Sequence, residues 1–221
     1  MKIVKILFVG LTSIFILSAN AGSDEIPPSL LDLPAETQQA VFVQSNPENK
    51  IEAFISTWER KENVWREVFE PMQTVIGRNG LASLSEKREG DGRTPSGVYS
   101  LKRAFGYGET ISTGLSYKQV TENDFWVDDP QSQQYNQWVQ GQPQAASFER
   151  LKREDDLYKY GIVIEYNTEP IESGKGSAIF IHIWRNPQSP TAGCVALSEE
   201  NLLKLLDWLQ LSKNPQIILK E

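Results

Sequence analysis

The 221-residue chain contains one histidine and one cysteine. A lone cysteine excludes a disulfide framework within the chain. One His with one Cys cannot complete a usual zinc ligand set, so no metal is expected. Basic side chains are also scarce, with 22 Lys and Arg against 29 Asp and Glu. The resulting formal charge of −7 argues against nucleic-acid or anionic-membrane partners, which need basic patches. Long apolar runs are missing as well. The one candidate, Ile6 to Leu17, is too short for a comfortable membrane span.

That run follows Lys2 and Lys5 and precedes Ala19-Asn20-Ala21, so residues 1–21 read as a secretory signal peptide, with an uncleaved anchor as the alternative. No cysteine stands at the cleavage point to take a lipid. Export to the periplasm or cell envelope is therefore expected, with no integral membrane segment after cleavage. The remaining chain carries 20 basic and 29 acidic side chains, a net charge of −9. At about 200 residues it is long enough for one sizeable core.

In an exported chain an unpaired cysteine signals a reactive thiol, although a lone cysteine can also be a small buried hydrophobe. Cys194 follows Gly193 and lies twelve positions after His182, the only imidazole. This proximity favours a catalytic pair. Residues 177–184 are rich in isoleucine and aromatics and predict a strand. Alternation places Ile179, Ile181 and Ile183 on a core face and Phe180, His182 and Trp184 on a cleft wall. A polar, proline-bounded loop from Arg185 to Pro190 leads to Thr191-Ala192-Gly193-Cys194, where the Gly193 and Cys194 amides could form an oxyanion hole.

The rest of the chain reads as short strands between turn residues, which favours a mainly β sandwich or barrel. Residues 22–38 form a proline-containing lead-in. Ala40–Gln44 and Ile51–Trp58 predict a hairpin, and Val64–Val75 a further extended segment ending at Gly77-Arg78-Asn79-Gly80. Gly90-Asp91-Gly92-Arg93-Thr94-Pro95-Ser96-Gly97 lacks the Gly-Lys-Ser/Thr ending of a phosphate loop; its last four residues fit a type I turn. Residues 105–160 form a long aromatic-rich excursion, read either as a lid over a substrate groove or as a surface connection with a short helix near Ser147–Tyr158. Gly161–Tyr166 predicts a strand. Ser198 predicts a helix N-cap, and Leu202, Leu205, Leu206 and Leu209 give a buried stripe. The helix is expected to end at Asn214-Pro215, before a last strand at 216–219.

The order Gly-Ser-Ala-Ile-Phe-Ile-His at 176–182, a loop, then Thr-Ala-Gly-Cys-Val-Ala-Leu at 191–197, preceded by Lys87 to Tyr99 with Thr94-Pro95-Ser96-Gly97, resembles the L,D-transpeptidase (YkuD-type) catalytic domain family. The resemblance covers residues 39–220. It implies a YkuD-type β-sandwich of mixed sheets with a few short helices and one at the C-terminus. It also implies a cysteine-dependent acyltransferase acting on peptidoglycan stem peptides without a metal or organic cofactor: Cys194 as nucleophile, His182 as proton donor and acceptor, and the Ile183 main-chain carbonyl orienting the imidazole. Phe180, Trp184 and Thr191 are candidate substrate contacts.

Two positions depart from the family pattern, since Ala192 and Ala196 stand where His and Arg are usual, and the His-to-Cys loop is short. The same thioester could pass to an amine or to water, which leaves an L,D-carboxypeptidase or amidase open. A non-catalytic peptidoglycan-binding module would be expected to lack the Cys or the His. A papain-like protease would place its cysteine near the mature N-terminus.

Overall fold

The computed structural model describes residues 26–220, so the expected signal peptide lies outside the described residues. In chain order the elements are α1 (Pro28–Leu31), β1 (Gln39–Asn46), β2 (Asn49–Lys61), β3 (Val64–Glu67), β4 (Met72–Val75), β5 (Leu81–Ala82), β6 (Thr94–Pro95) and β7 (Gly97–Gly106). They continue with β8 (Ser116–Gln119), β9 (Asp124–Val127), β10 (Trp138–Gln140), β11 (Phe148–Arg150), β12 (Tyr160–Ile164), β13 (Phe180–Ile183), β14 (Val195–Leu197), α2 (Glu199–Trp208) and β15 (Gln216–Lys220). The fold is mainly β with mixed sheets and a C-terminal helix, as the turn-punctuated sequence predicts.

The large sheet runs β1-β15-β7-β12-β13-β14-β4-β2, and β2 also pairs with β1, so these eight strands form a closed circuit. Closure satisfies the backbone groups that a free sheet edge would leave unpaired. Inside lies a core drawn from every strand of the circuit, including Val41, Ile55, Met72, Leu101, Ile162, Ile181, Val195 and Ile217. Leu202, Leu205 and Leu206 from α2, and Leu209 just after it, are fully buried in it. Ser198 caps α2, its side chain accepting from Asn201 N–H, with Glu199 and Glu200 in the first turn where negative charge suits the helix dipole.

A second core sits behind β13. Phe180 is fully buried there between Trp126, Phe105 and Tyr158, whose rings meet it edge-on at centroid distances of 5.0, 5.3 and 5.7 Å. Gly161 of β12 makes room for this cluster: a Cβ there would lie 2.2 Å from the Phe105 ring. Phe105 is itself fully buried and cannot swing away. Gly161→Ala is expected to destabilise the fold by about 3 kcal/mol through overpacking, lowering Tm by about 6–12 °C. An unchanged midpoint in thermal unfolding would show that Phe105 can yield.

Several local expectations are corrected. No helix forms at Ser147–Tyr158; the excursion instead builds the three-stranded sheet β10-β9-β11, in which Phe125, Trp126 and Val127 are buried, Trp126 against Phe180 and Phe125 against Phe148. Thr94-Pro95 is not a type I turn but pairs in parallel with Leu81-Ala82. Helix α2 stops at Trp208, since Leu209 turns extended (φ −68°, ψ 132°) to stay buried, and a short 3-10 turn at Leu211–Lys213 follows. The lead-in is packed, with Leu30 and Leu33 against Trp58 and Trp65.

Candidate active site

Strands β13 and β14 run parallel with His182 opposite Ala196, which brings the residue before β14, Cys194, alongside Phe180. The Phe180 N–H donates to Cys194 Sγ at 3.4 Å, and the thiol in turn donates to the Ala178 carbonyl at 3.2 Å. His182 Nδ1 lies 2.8 Å from the Ile183 carbonyl oxygen. A carbonyl can only accept, so Nδ1 carries the proton and Nε2 keeps a free lone pair. Cys194 and His182 are 6% and 7% exposed, and both line a cavity of about 690 Å³.

Burial pushes the Cys194 thiol up to about 12; the Glu149 carboxylate adds to this, while the Phe180 amide and Tyr158 hydroxyl oppose it. Burial also pulls the His182 imidazole down to about 4, against the opposing effect of its bond to Ile183. Both shifts favour the uncharged forms at neutral pH.

The backbone around Cys194 is held by one residue close in sequence and one far away. Thr191 Oγ1 donates to the Cys194 carbonyl at 2.6 Å, and Thr94 Oγ1 approaches the same oxygen at 3.3 Å. Thr94 Oγ1 also accepts the Gly77 N–H at 2.9 Å. Thr94 is completely buried, so Thr94→Val strands the Gly77 donor. We expect this substitution to cost about 2 kcal/mol, seen as a Tm lower by about 4–8 °C. A variant melting with the wild type would refute the bridging role.

Ala178 has φ +53°, a left-handed conformation uncommon for a residue with a Cβ. Asn136 holds it there. Its Oδ1 accepts from Ala178 N–H at 3.1 Å and from Trp126 Nε1 at 2.8 Å, while Nδ2 donates to the Tyr166 and Asn167 carbonyls. The excursion thus fixes the carbonyl that receives the Cys194 thiol proton.

The site residues expected from sequence separate into two groups. Cys194, His182, Gly193, Trp184 and Thr191 all line the cavity. Phe180 does not, because β13 turns its ring into the aromatic core. Ile183 contributes its carbonyl, while its side chain packs on the main core. The Gly193 amide, expected to face an oxyanion, donates to Thr191 Oγ1 at 3.1 Å instead. The Cys194 amide makes no hydrogen bond among the described residues.

Sequence reasoning did not single out Thr94, Asn136, Glu149, Tyr158 or Ala178 as site residues. Tyr158 places its ring edge-on to His182 at 5.1 Å, and its hydroxyl donates to Glu149 Oε2 at 2.6 Å. Ala192 and Ala196 both face the cavity, which also receives Arg78, Lys87 and Arg153. Among the described residues no cluster of three or more His, Cys, Asp and Glu is arranged to hold a metal, and no helix is long and apolar enough to cross a membrane.

Comparison with known proteins adds a family. No curated relative matches the chain. Among solved structures, the helical cell shape determining protein Pgp2 from Campylobacter jejuni is similar at 17% identity and a TM-score of 0.45, covering 83% of this chain and 48% of that one. Bd1075 from Bdellovibrio bacteriovorus is similar at 15% identity and a TM-score of 0.44, with the same two coverages of 83% and 48%. The chain spans about half the length of these structures. A family model for the L,D-transpeptidase catalytic domain, YkuD, matches residues 45–218. The chain belongs to the L,D-transpeptidase (YkuD) catalytic-domain family.

Proposed function

We propose that this protein is a peptidoglycan L,D-transpeptidase using Cys194 as nucleophile. One observation carries the reading: the only thiol and the only imidazole open into one cavity, with the imidazole's proton fixed on the side away from its free nitrogen. The donor is a tetrapeptide stem whose third residue offers its carbonyl to Cys194 Sγ. His182 Nε2 takes the thiol proton as sulfur bonds to that carbon. The Cys194 amide supports the negative oxygen. Collapse breaks the C–N bond, and the imidazolium protonates the departing nitrogen, so that D-alanine leaves and a thioester remains.

An acceptor amine then attacks the thioester, losing a proton through His182, and the thiol is regenerated. The product with a second stem is a 3→3 cross-link. Export to the cell envelope, where such stems occur, accords with the N-terminal sequence.

The test is to incubate the protein with purified tetrapeptide muropeptides and follow products by mass spectrometry. Dimers formed with loss of one D-alanine are the expected result. Monomeric tripeptide alone would replace transfer by hydrolysis, making the protein an L,D-carboxypeptidase on the same thioester. No turnover of any stem would overturn both and favour a peptidoglycan-binding module.

A further inference from the structure

The excursion between β7 and β12 brings to the nucleophile a carboxylate that the acyl-transfer chemistry above does not use. Glu149 on β11 lines the cavity with Cys194. Its Oε2 accepts the Tyr158 hydroxyl at 2.6 Å. Tyr158 is in turn locked in place, edge-on to His182 at 5.1 Å, to Phe180 at 5.7 Å and to Phe105 at 6.0 Å. Tyr158, held by these rings, restrains the Glu149 carboxyl through that hydrogen bond.

The surrounding charges have been placed with some economy. Asp128, just after β9, lines the same wall, and its Oδ1 is buried with no hydrogen-bond partner. Glu89 reaches the cavity from the loop before β6, with its carboxylate bound by the Tyr135 and Ser177 hydroxyls at 2.6 and 2.7 Å. The cations offset this wall only in part: Arg153, bonded to Asp155 at 2.7 and 2.8 Å, favours the ionised forms of both Glu149 and Cys194 but weighs less on the thiol than Glu149 does, and Lys87 is paired with Asp91 at 2.7 Å. Arg78 and Arg185 lie on the other walls of the cavity.

We propose that Glu149, clamped by Tyr158, is a positioning residue for the nucleophile, whose fixed carboxylate holds the resting Cys194 in its thiol form. The proposal rests on the assignment of Cys194 as nucleophile. Two like charges facing one desolvated space disfavour each other, so an ionised Glu149 raises the cost of forming the thiolate. The Cys194 thiol, donating to Ala178, is in the protonated form that this field favours. Burial moves the Glu149 carboxyl itself upward, against the Tyr158 hydroxyl, so its influence on Cys194 grows as pH rises through its own titration.

The test measures alkylation of Cys194 by iodoacetamide as a function of pH, by intact mass, in the full-length protein. This readout needs no peptidoglycan substrate, so it stands whether or not the transpeptidase reading does. Glu149→Gln is expected to shift the reactivity profile down by about one pH unit, which is about tenfold faster alkylation on the rising limb. Glu149→Met, uncharged and of similar length, is expected to do the same and serves if the glutamine variant does not fold. Glu154→Gln makes the same charge change at an exposed site and is expected to leave the profile in place. Unshifted profiles in the Gln and Met variants, or an equal shift in Glu154→Gln, would overturn the proposal.

Discussion

Release of D-alanine from tetrapeptide stems is expected to fall about 10⁶-fold in Cys194→Ala, the scale of loss when a covalent nucleophile is deleted from a catalytic unit. The substitution removes one sulfur from a pocket bounded by Phe180 and Ala178 and leaves the backbone that Thr191 and Thr94 hold through the Cys194 carbonyl. The fold should therefore survive, with a Tm within a few degrees of wild type. No second cysteine can substitute, since the chain has one. Without an acceptor, the wild type should accumulate a protein adduct corresponding to the acylated stem, and the variant none. Turnover retained in Cys194→Ala would remove the thioester from the mechanism.

His182→Gln should lower kcat by about 10⁴-fold, since the thiol loses the imidazole that takes its proton and later returns it. It should also change how stability depends on pH. The unfolded chain binds a proton on this imidazole near 6.5, while the native state, which buries it, refuses the proton until about 4. Between those values the unfolded state holds more protons, so stability falls as pH falls, by on the order of 3 kcal/mol at the acid end. Above pH 6.5 this contribution is fully present. Urea unfolding at pH 7, 5.5 and 4.5 should show a shallower acid loss in His182→Gln than in the wild type. Parallel losses would mean that the imidazole is not buried in neutral form.

Strong local signals in the sequence translated directly into structure. Ser198 ahead of two glutamates and a leucine stripe specifies where α2 starts and which face it buries. Isoleucine alternation specifies β13, with Ile179 and Ile181 in the main core. Rarity did similar work for the site, because a chain with one thiol and one imidazole in neighbouring segments offers few other ways to assemble this chemistry. The signal failed where a segment's partner is remote. Thr94-Pro95 looks like a turn by composition, yet its edge is taken by Leu81-Ala82.

The same limit applies to the excursion. Glu149, Tyr158 and Asn136 carry no periodicity or spacing that marks them, since Asn136 acts on Ala178, 42 positions away, and Glu149 is brought to its place by a sheet whose register is set by packing. Phe180 was read as facing a cleft because alternation gives only the side of a strand. It does not say what covers that side, and Trp126, Phe105 and Tyr158 make it an aromatic core.

By itself, then, the sequence determined the mainly β class, the C-terminal helix and the candidate Cys194–His182 pair, all of which follow from short-range pattern and residue identity. The tertiary structure alone decided the burial that disfavours charge on both groups, the engagement of the Gly193 amide by Thr191, and the acidic wall that Asp128 and Glu149 of the excursion form with Glu89. Those properties depend on how much water and which charges surround an atom, and only distant chain segments folding together fix either.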